Sequence, residues 1–155
     1  MIDSMDIYRA IKKTLEKNFN IKVQIKDIKN PCPPCFYIKP ITDSSRQTAN
    51  NYETTDYSYS IIYFSEDETL EDLLTVKEAL KNLLKLPLKV IAYKDETDIN
   101  WLEINSTDFS LDESDYILQA VINIEHTQRL GVTRFESDNT ELMEVMEIST
   151  DYTES

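Results

Sequence analysis

A single glycine, Gly131, stands in 155 residues. Phosphate-cradling loops need glycines for tight turns and close backbone approach, so P-loop and dinucleotide-binding motifs are excluded. Two cysteines are too few for the disulfide framework of a small secreted protein. The one histidine, His126, has no serine or cysteine beside it in a recognisable nucleophile setting. Together with the two cysteines it offers three donors where a structural zinc site takes four. No run of 18 apolar residues occurs, so no membrane span is expected. The first six residues lack the basic and apolar blocks of a secretory signal. These absences together lead to the expectation of a soluble cytoplasmic protein without cofactor, metal or catalysis, acting by binding other proteins.

What is abundant is negative charge. The formal net charge is −13 and the pI about 4.4, a balance that repels bare nucleic acid and anionic membranes. The charge is also uneven. Residues 1–30 carry seven Lys/Arg against four acids, whereas residues 95–115 carry eight acids and no base. Residues 131–155 carry seven acids and only Arg134. Solvated faces explain such a distribution, and head-to-tail attraction between copies explains it as well.

Apolar content of 41% supports one core, and periodicity assigns its elements. Residues 4–18 read as an amphipathic helix with Ile7, Ile11 and Leu15 on one face and Ser4 as N-cap. Residues 21–28 alternate as a half-buried strand, and a second strand starts at Cys35, with Pro40 confining it to an edge or a bulge. Residues 42–51 are polar apart from Ala49 and read as a loop or a hairpin tip. A tyrosine-rich strand runs from about 52 to 64. A helix at 69–85 starts on a Thr69/Asp72 capping box and buries a stripe of Leu70, Leu73, Leu74, Leu80, Leu83 and Leu84, helped by Ala79, until Pro87 stops it. Strands follow at 88–93, about 101–110 and 115–126, the last with Tyr116, Leu118, Ala120, Ile122 and Ile124 on one face. The expected class is α+β: a mainly antiparallel sheet of about five to six strands, with two helices on one face. Residues 1–130 read as one domain and 131–155 as an acidic tail.

Four local features bear on function. Cys32-Pro-Pro-Cys35 has redox spacing, but a strand-like stretch follows it rather than the helix whose dipole would stabilise a thiolate, so a rigid turn is expected. Asp95, Glu96 and Asp98 lack the glycine and spacing of a calcium loop and read as a solvated loop. Tyr57 and Tyr59 could offer an interface, since tyrosine joins contact area to a polar tip. The polar segment at 42–51, with Asp43, Arg46, Gln47 and Asn50, suits a contact carried on a rigid scaffold. Within the acidic tail, Leu142, Met143, Val145, Met146 and Ile148 form an apolar island, expected to dock on a sheet edge, a neighbouring subunit or a partner.

Several stretches resemble a phage tail terminator family found in phages and phage-tail-like particles of low-GC Gram-positive bacteria. They are the N-terminal helix with Ile7, Ile11 and Leu15, the Pro-Cys-Phe-Tyr-Ile stretch at 34–38, and the aromatic strand Tyr57-Ser-Tyr-Ser-Ile-Ile-Tyr-Phe64. The Leu-rich helix at 70–84, Val121-Ile-Asn-Ile124 and the closing Glu141-Leu-Met-Glu-Val-Met-Glu-Ile148 complete the likeness. The resemblance implies a ring-forming cap, usually a hexamer, that stops tail-tube polymerisation at its head-proximal end and meets the head-side connector. Tube protein, connector protein, further copies of itself and, in a contractile tail, sheath protein would be its partners. The host cytoplasm during assembly and then the virion tail would be its locations. Protein contacts would fall on Asp43, Arg46, Gln47, Asn50, Tyr57, Tyr59, Leu142, Met143, Val145 and Ile148. Two other readings are a small thiol-disulfide enzyme using Cys32 and Cys35, and an acidic adaptor or inhibitor that mimics nucleic acid.

Overall fold

The computed structural model describes residues 1–25 and 30–129. In chain order these form α1 (Ser4–Phe19), β1 (Val23–Gln24), β2 (Cys35–Ala49), β3 (Tyr52–Phe64), α2 (Leu70–Leu83), β4 (Leu88–Ala92), β5 (Asp95–Leu102), β6 (Ile104–Asp112) and β7 (Ile117–Arg129). Five strands make one sheet in the order β1-β2-β3-β7-β6, and β4 pairs with β5 in a separate sheet. The short β1–β2 pair is parallel, with Val23 opposite Phe36, while β6–β7 and β4–β5 are antiparallel. The fold is α+β with a mainly antiparallel mixed sheet. By contacts the described residues group into two units, one of Met1–Ser44 and Asp56–His126, the other of Ser45–Thr55 with the end of β7 from Thr127 to Arg129.

The first unit holds the large core. Ile7, Ile11 and Leu15 of α1 are buried, as are Leu73, Val76 and Leu80 of α2. They meet one face of the sheet, which presents Tyr57, Tyr59, Ile61 and Tyr63 from β3 and Leu118, Ala120, Ile122 and Ile124 from β7. The period-2 alternation of these strands puts all eight on the same side. Both helices lie on that side, because the Tyr59 hydroxyl donates to the Ser4 carbonyl of α1 at 2.8 Å and the Tyr63 hydroxyl to the Asp72 carboxylate of α2, also at 2.8 Å. The opposite face is a polar row bonded to itself. Ser58 donates to Asn123, Gln119 donates to Ser60 at 2.7 Å, and Asn123 donates to Ser106 at 2.8 Å.

The second unit is built on hydroxyls. Ser45 and Thr55 share a hydrogen bond of 2.8 Å, Thr54 donates to Thr48 at 3.1 Å, and Thr54 and Thr127 are 2.6 Å apart. Thr54 and Thr55 are buried there in place of larger apolar groups. The hairpin between β2 and β3 turns at Asn50-Asn51, where Asn51 takes a positive φ of 64°, a conformation asparagine tolerates well.

Several sequence expectations are corrected. Of the two readings of residues 42–51 the hairpin tip is the one found, with strand through residue 49 rather than loop: threonine makes a good ladder residue, and polarity reported exposure rather than irregular backbone. Asp3, not Ser4, caps α1, because its carboxylate accepts from the Asp6 amide at 3.0 Å while Asp6 answers on the Asp3 amide at 3.0 Å. Thr69 caps α2 as expected, but the Asp72 side chain does not close the box and instead accepts from Tyr63 and Ser65. Leu70, Leu74 and Ala79 are exposed, and Val76 takes the place they were given in the buried stripe. The strand expected at 21–28 is only Val23–Gln24 among the described residues, and Ile25 is exposed. Tyr116 is not part of the last strand but sits in the preceding turn with a φ of 54°. The acidic stretch around Asp95, Glu96 and Asp98 is strand β5 rather than a solvated loop, recruited by pairing with β4.

Candidate functional site

The aromatic residues sort into two groups with opposite fates. Tyr57, Tyr59 and Tyr63 are buried within the subunit, so Tyr57 and Tyr59, expected among the contact residues, face its own core. Burial holds the Tyr59 and Tyr63 hydroxyls well above the usual phenol range, and for Tyr63 the adjacent Asp72 carboxylate adds to it. Both remain neutral donors that tie sheet to helix rather than reactive groups.

The second group stands on the β4–β5 hairpin, whose strands alternate cleanly. Leu88, Val90, Ala92 and Leu102 point into the core, while Ile91, Ile99 and Trp101 point outward. Ile91 faces Ile99 across the strands and Lys89 faces Trp101. Trp101 keeps 63% of its surface exposed, Ile99 45%, Ile91 37%, and Tyr93 at the turn 75%. Exposed side chains scattered singly are ordinary, but three on one face of a two-stranded sheet, with an aromatic turn residue beside them, form a patch.

The patch is held on a fixed base. The buried Asp6 carboxylate accepts from the Tyr93 amide at 3.0 Å, from the Asp3 amide at 3.0 Å and from Arg9 at 3.3 Å. The Arg9 guanidinium lies over the Tyr93 ring at 4.8 Å, and the Lys89 ammonium is 5.8 Å from the Trp101 ring centre. Sequence reasoning read a strand at 88–93 but took the acidic start of β5 for a loop, and so missed the pairing that makes the hairpin. The signal that could have found it is the alternation Leu88, Val90, Ala92 against Lys89, Ile91, Tyr93.

The other expected contact residues fall in three places. Arg46, Gln47 and Asn50 are exposed in the second unit, and Asp43 is exposed on the same strand β2 three residues before Arg46. Asp43 and Gln47 share one side of the strand by parity and Arg46 takes the other. Leu142, Met143, Val145 and Ile148 lie outside the described residues.

The remaining chemistry is sparse. Cys32 is exposed, Cys35 is buried, and both are free thiols. Burial is the largest influence on the Cys35 thiol and raises it above the ordinary thiol range, the reverse of what a nucleophilic thiolate needs. Strand β2 begins at Cys35, so the sulfurs stand at a strand start and gain nothing from a helix dipole. His126 is half-buried on β7, and among the described residues no group of three His, Cys, Asp or Glu could hold a metal ion. Among the same residues no helix is long and apolar enough to cross a membrane.

The described residues form an α+β subunit whose β4–β5 hairpin exposes an apolar patch. The family profile of phage tail terminator proteins matches residues 6–129, which covers α1 through β7. The chain belongs to the phage tail terminator family and is a structural component of a phage tail. Comparison with curated proteins gives no match.

Proposed function

We propose that the protein caps the head-proximal end of the tail tube as a closed ring of its own copies, six being the expected number. In that position it ends tube polymerisation and offers the joint to the head-side connector protein, with sheath protein as a further neighbour where the tail contracts. Beyond family membership, the observation that carries this reading is the outward face of the β4–β5 hairpin, where Ile91, Ile99, Trp101 and Tyr93 stay in water on an isolated subunit. Burying such side chains is worth roughly 1.5–3 kcal/mol each before the costs of association, against about 0–1 kcal/mol for a surface ion pair. Apolar contact therefore holds the ring, and the charge asymmetry between residues 1–30 and 95–115 sets its head-to-tail sense.

The hairpin end bearing Arg46, Gln47 and Asn50, with Asp43 on the same strand, is assigned to the tube protein or the adjacent subunit. Arg46 is the only base in residues 42–51, so Arg46→Glu reverses its charge without touching the buried core. The expected outcome is a folded subunit with weakened assembly, and normal tails of normal length from that variant would remove the segment from the interface. The ring itself is tested by light scattering and electron microscopy of the purified protein, and by tail length in phage lacking it. Overlong tubes and a multi-copy ring support the cap. A monomer at every concentration, with tails of normal length in its absence, sinks the proposal and favours a free adaptor.

A further inference from the structure

A groove of about 440 Å³ runs between the C-terminal half of α2 and the start of β6. Its apolar lining is Leu84, Ile104 and Phe109. Its basic rim is Lys77 and Lys81, four apart and so on one face of α2, with Lys85 in the turn just past the helix end. Among the described residues none of these three lysines is in an ion pair. That is unusual company for a chain of net charge −13, in which acids outnumber bases by 29 to 16. The other wall belongs to the last strand of the sheet, since among the described residues β6 pairs only with β7. Edge strands leave a row of backbone donors and acceptors open, and proteins commonly cover them with another piece of chain.

We propose that this groove receives residues 141–148 of the same chain. The match is chemical. Glu141, Glu144 and Glu147 provide three carboxylates for the three lysines. Leu142, Met143, Val145, Met146 and Ile148, interleaved with them, provide apolar area for Leu84, Ile104 and Phe109. Reach is sufficient. Eleven residues lie between Arg129, where β7 ends, and Glu141, and such a length spans up to about 36–40 Å when extended. A tether of this length holds the segment at an effective concentration on the order of millimolar, above that of any free copy, which favours the groove of its own subunit.

The proposal does not depend on ring formation. In the full-length protein, Met143 is replaced by the photo-crosslinking residue p-benzoylphenylalanine, and heavy-isotope and unlabelled copies are mixed before irradiation. Cross-links within one copy to residues 77–85 or 104–109 are expected. Lys77→Glu, Lys81→Glu and Lys85→Glu together should lower their yield about tenfold. Adding Glu141→Lys, Glu144→Lys and Glu147→Lys to that background should restore it. Cross-links elsewhere, links joining heavy to light copies, no links at all, or a yield indifferent to charge reversal would each overturn the assignment. The cross-link map of the background with native lysines stands even where the triple variant fails to fold. Light scattering on the same samples reports ring formation separately.

Discussion

Two aromatic-rich strands of this subunit have opposite fates. On β3, Tyr57, Tyr59 and Tyr63 are buried, with the Tyr59 and Tyr63 hydroxyls bonded to α1 and α2. On the β4–β5 hairpin, Tyr93 and Trp101 remain mostly in water. Composition does not separate them, because both segments alternate and both mix aromatic with polar residues. Position in the sheet separates them. β3 lies between β2 and β7 and presents one face to two helices, whereas a two-stranded sheet has a single covered face and nothing on its outer one among the described residues. A buried tyrosine also needs a partner for its hydroxyl, and here each of the two finds one on a helix.

The sharpest way to break this contrast is to truncate one aromatic of each kind. Tyr59→Ala removes a fully buried side chain and a hydrogen bond, and should destabilise the fold by roughly 3–5 kcal/mol in chemical denaturation. Trp101→Ala should leave stability within about 0.5 kcal/mol and instead reduce ring formation in light scattering. A Trp101 variant that assembles normally would show its exposure to be incidental.

Next in size is the base that holds the exposed hairpin. Asp6 is buried and accepts from Asp3, Tyr93 and Arg9. Asp6→Ala leaves the Tyr93 amide without its acceptor and should cost roughly 1–3 kcal/mol. Amide hydrogen exchange should then rise first at Tyr93. Unchanged exchange there would mean that the hairpin is placed by β4 packing alone.

The cysteine pair is a smaller perturbation. Cys35 is buried at a strand start with its sulfur 3.6 Å from the Gln24 side-chain oxygen, a contact a serine hydroxyl can keep. Replacing Cys32 and Cys35 by serine should cost about 1 kcal/mol or less and leave tail assembly intact. Loss of assembly in a folded double variant would return a functional role to the motif.

How much of this was legible in the sequence follows from the same physics. The faces of α1 and β7 were read correctly because period matches burial along one element, as with Ile7, Ile11 and Leu15 or Leu118, Ala120, Ile122 and Ile124. Errors arose where pairing partners decide. The strand extending through residue 49 and the acidic strand β5 exist because a neighbour supplies the ladder, which no local window shows. Leucine content misled on α2, where Leu70 and Leu74 are exposed and Val76 is buried. Among contact residues, exposure of Asp43, Arg46, Gln47 and Asn50 was legible from polarity. Burial of Tyr57 and Tyr59 was not, because a strand's alternation says that one side is covered without saying by what.

The finest test concerns how α1 is tied to the chain that follows it. Glu16 accepts from the Val23 amide at 3.2 Å and from Lys12 at 3.2 Å. The Val23 amide first, and Lys12 after it, hold the Glu16 carboxyl below its usual range. A carboxyl depressed on folding stabilises the fold above its unfolded value of about 4.3, and that contribution is lost as pH falls through the lower folded value. The side chain is 36% exposed, so solvent screening keeps the effect well under about 1 kcal/mol. Melting temperatures of the native protein and of Glu16→Gln, measured in parallel from pH 7 to pH 3, should differ slightly at neutral pH and converge below about pH 4. Other carboxylates with depressed values, Asp95, Asp98 and Asp112, titrate alike in both proteins and cancel in the difference. A gap that persists unchanged at pH 3 would mean that Glu16 acts through packing of its stem and not through its charge.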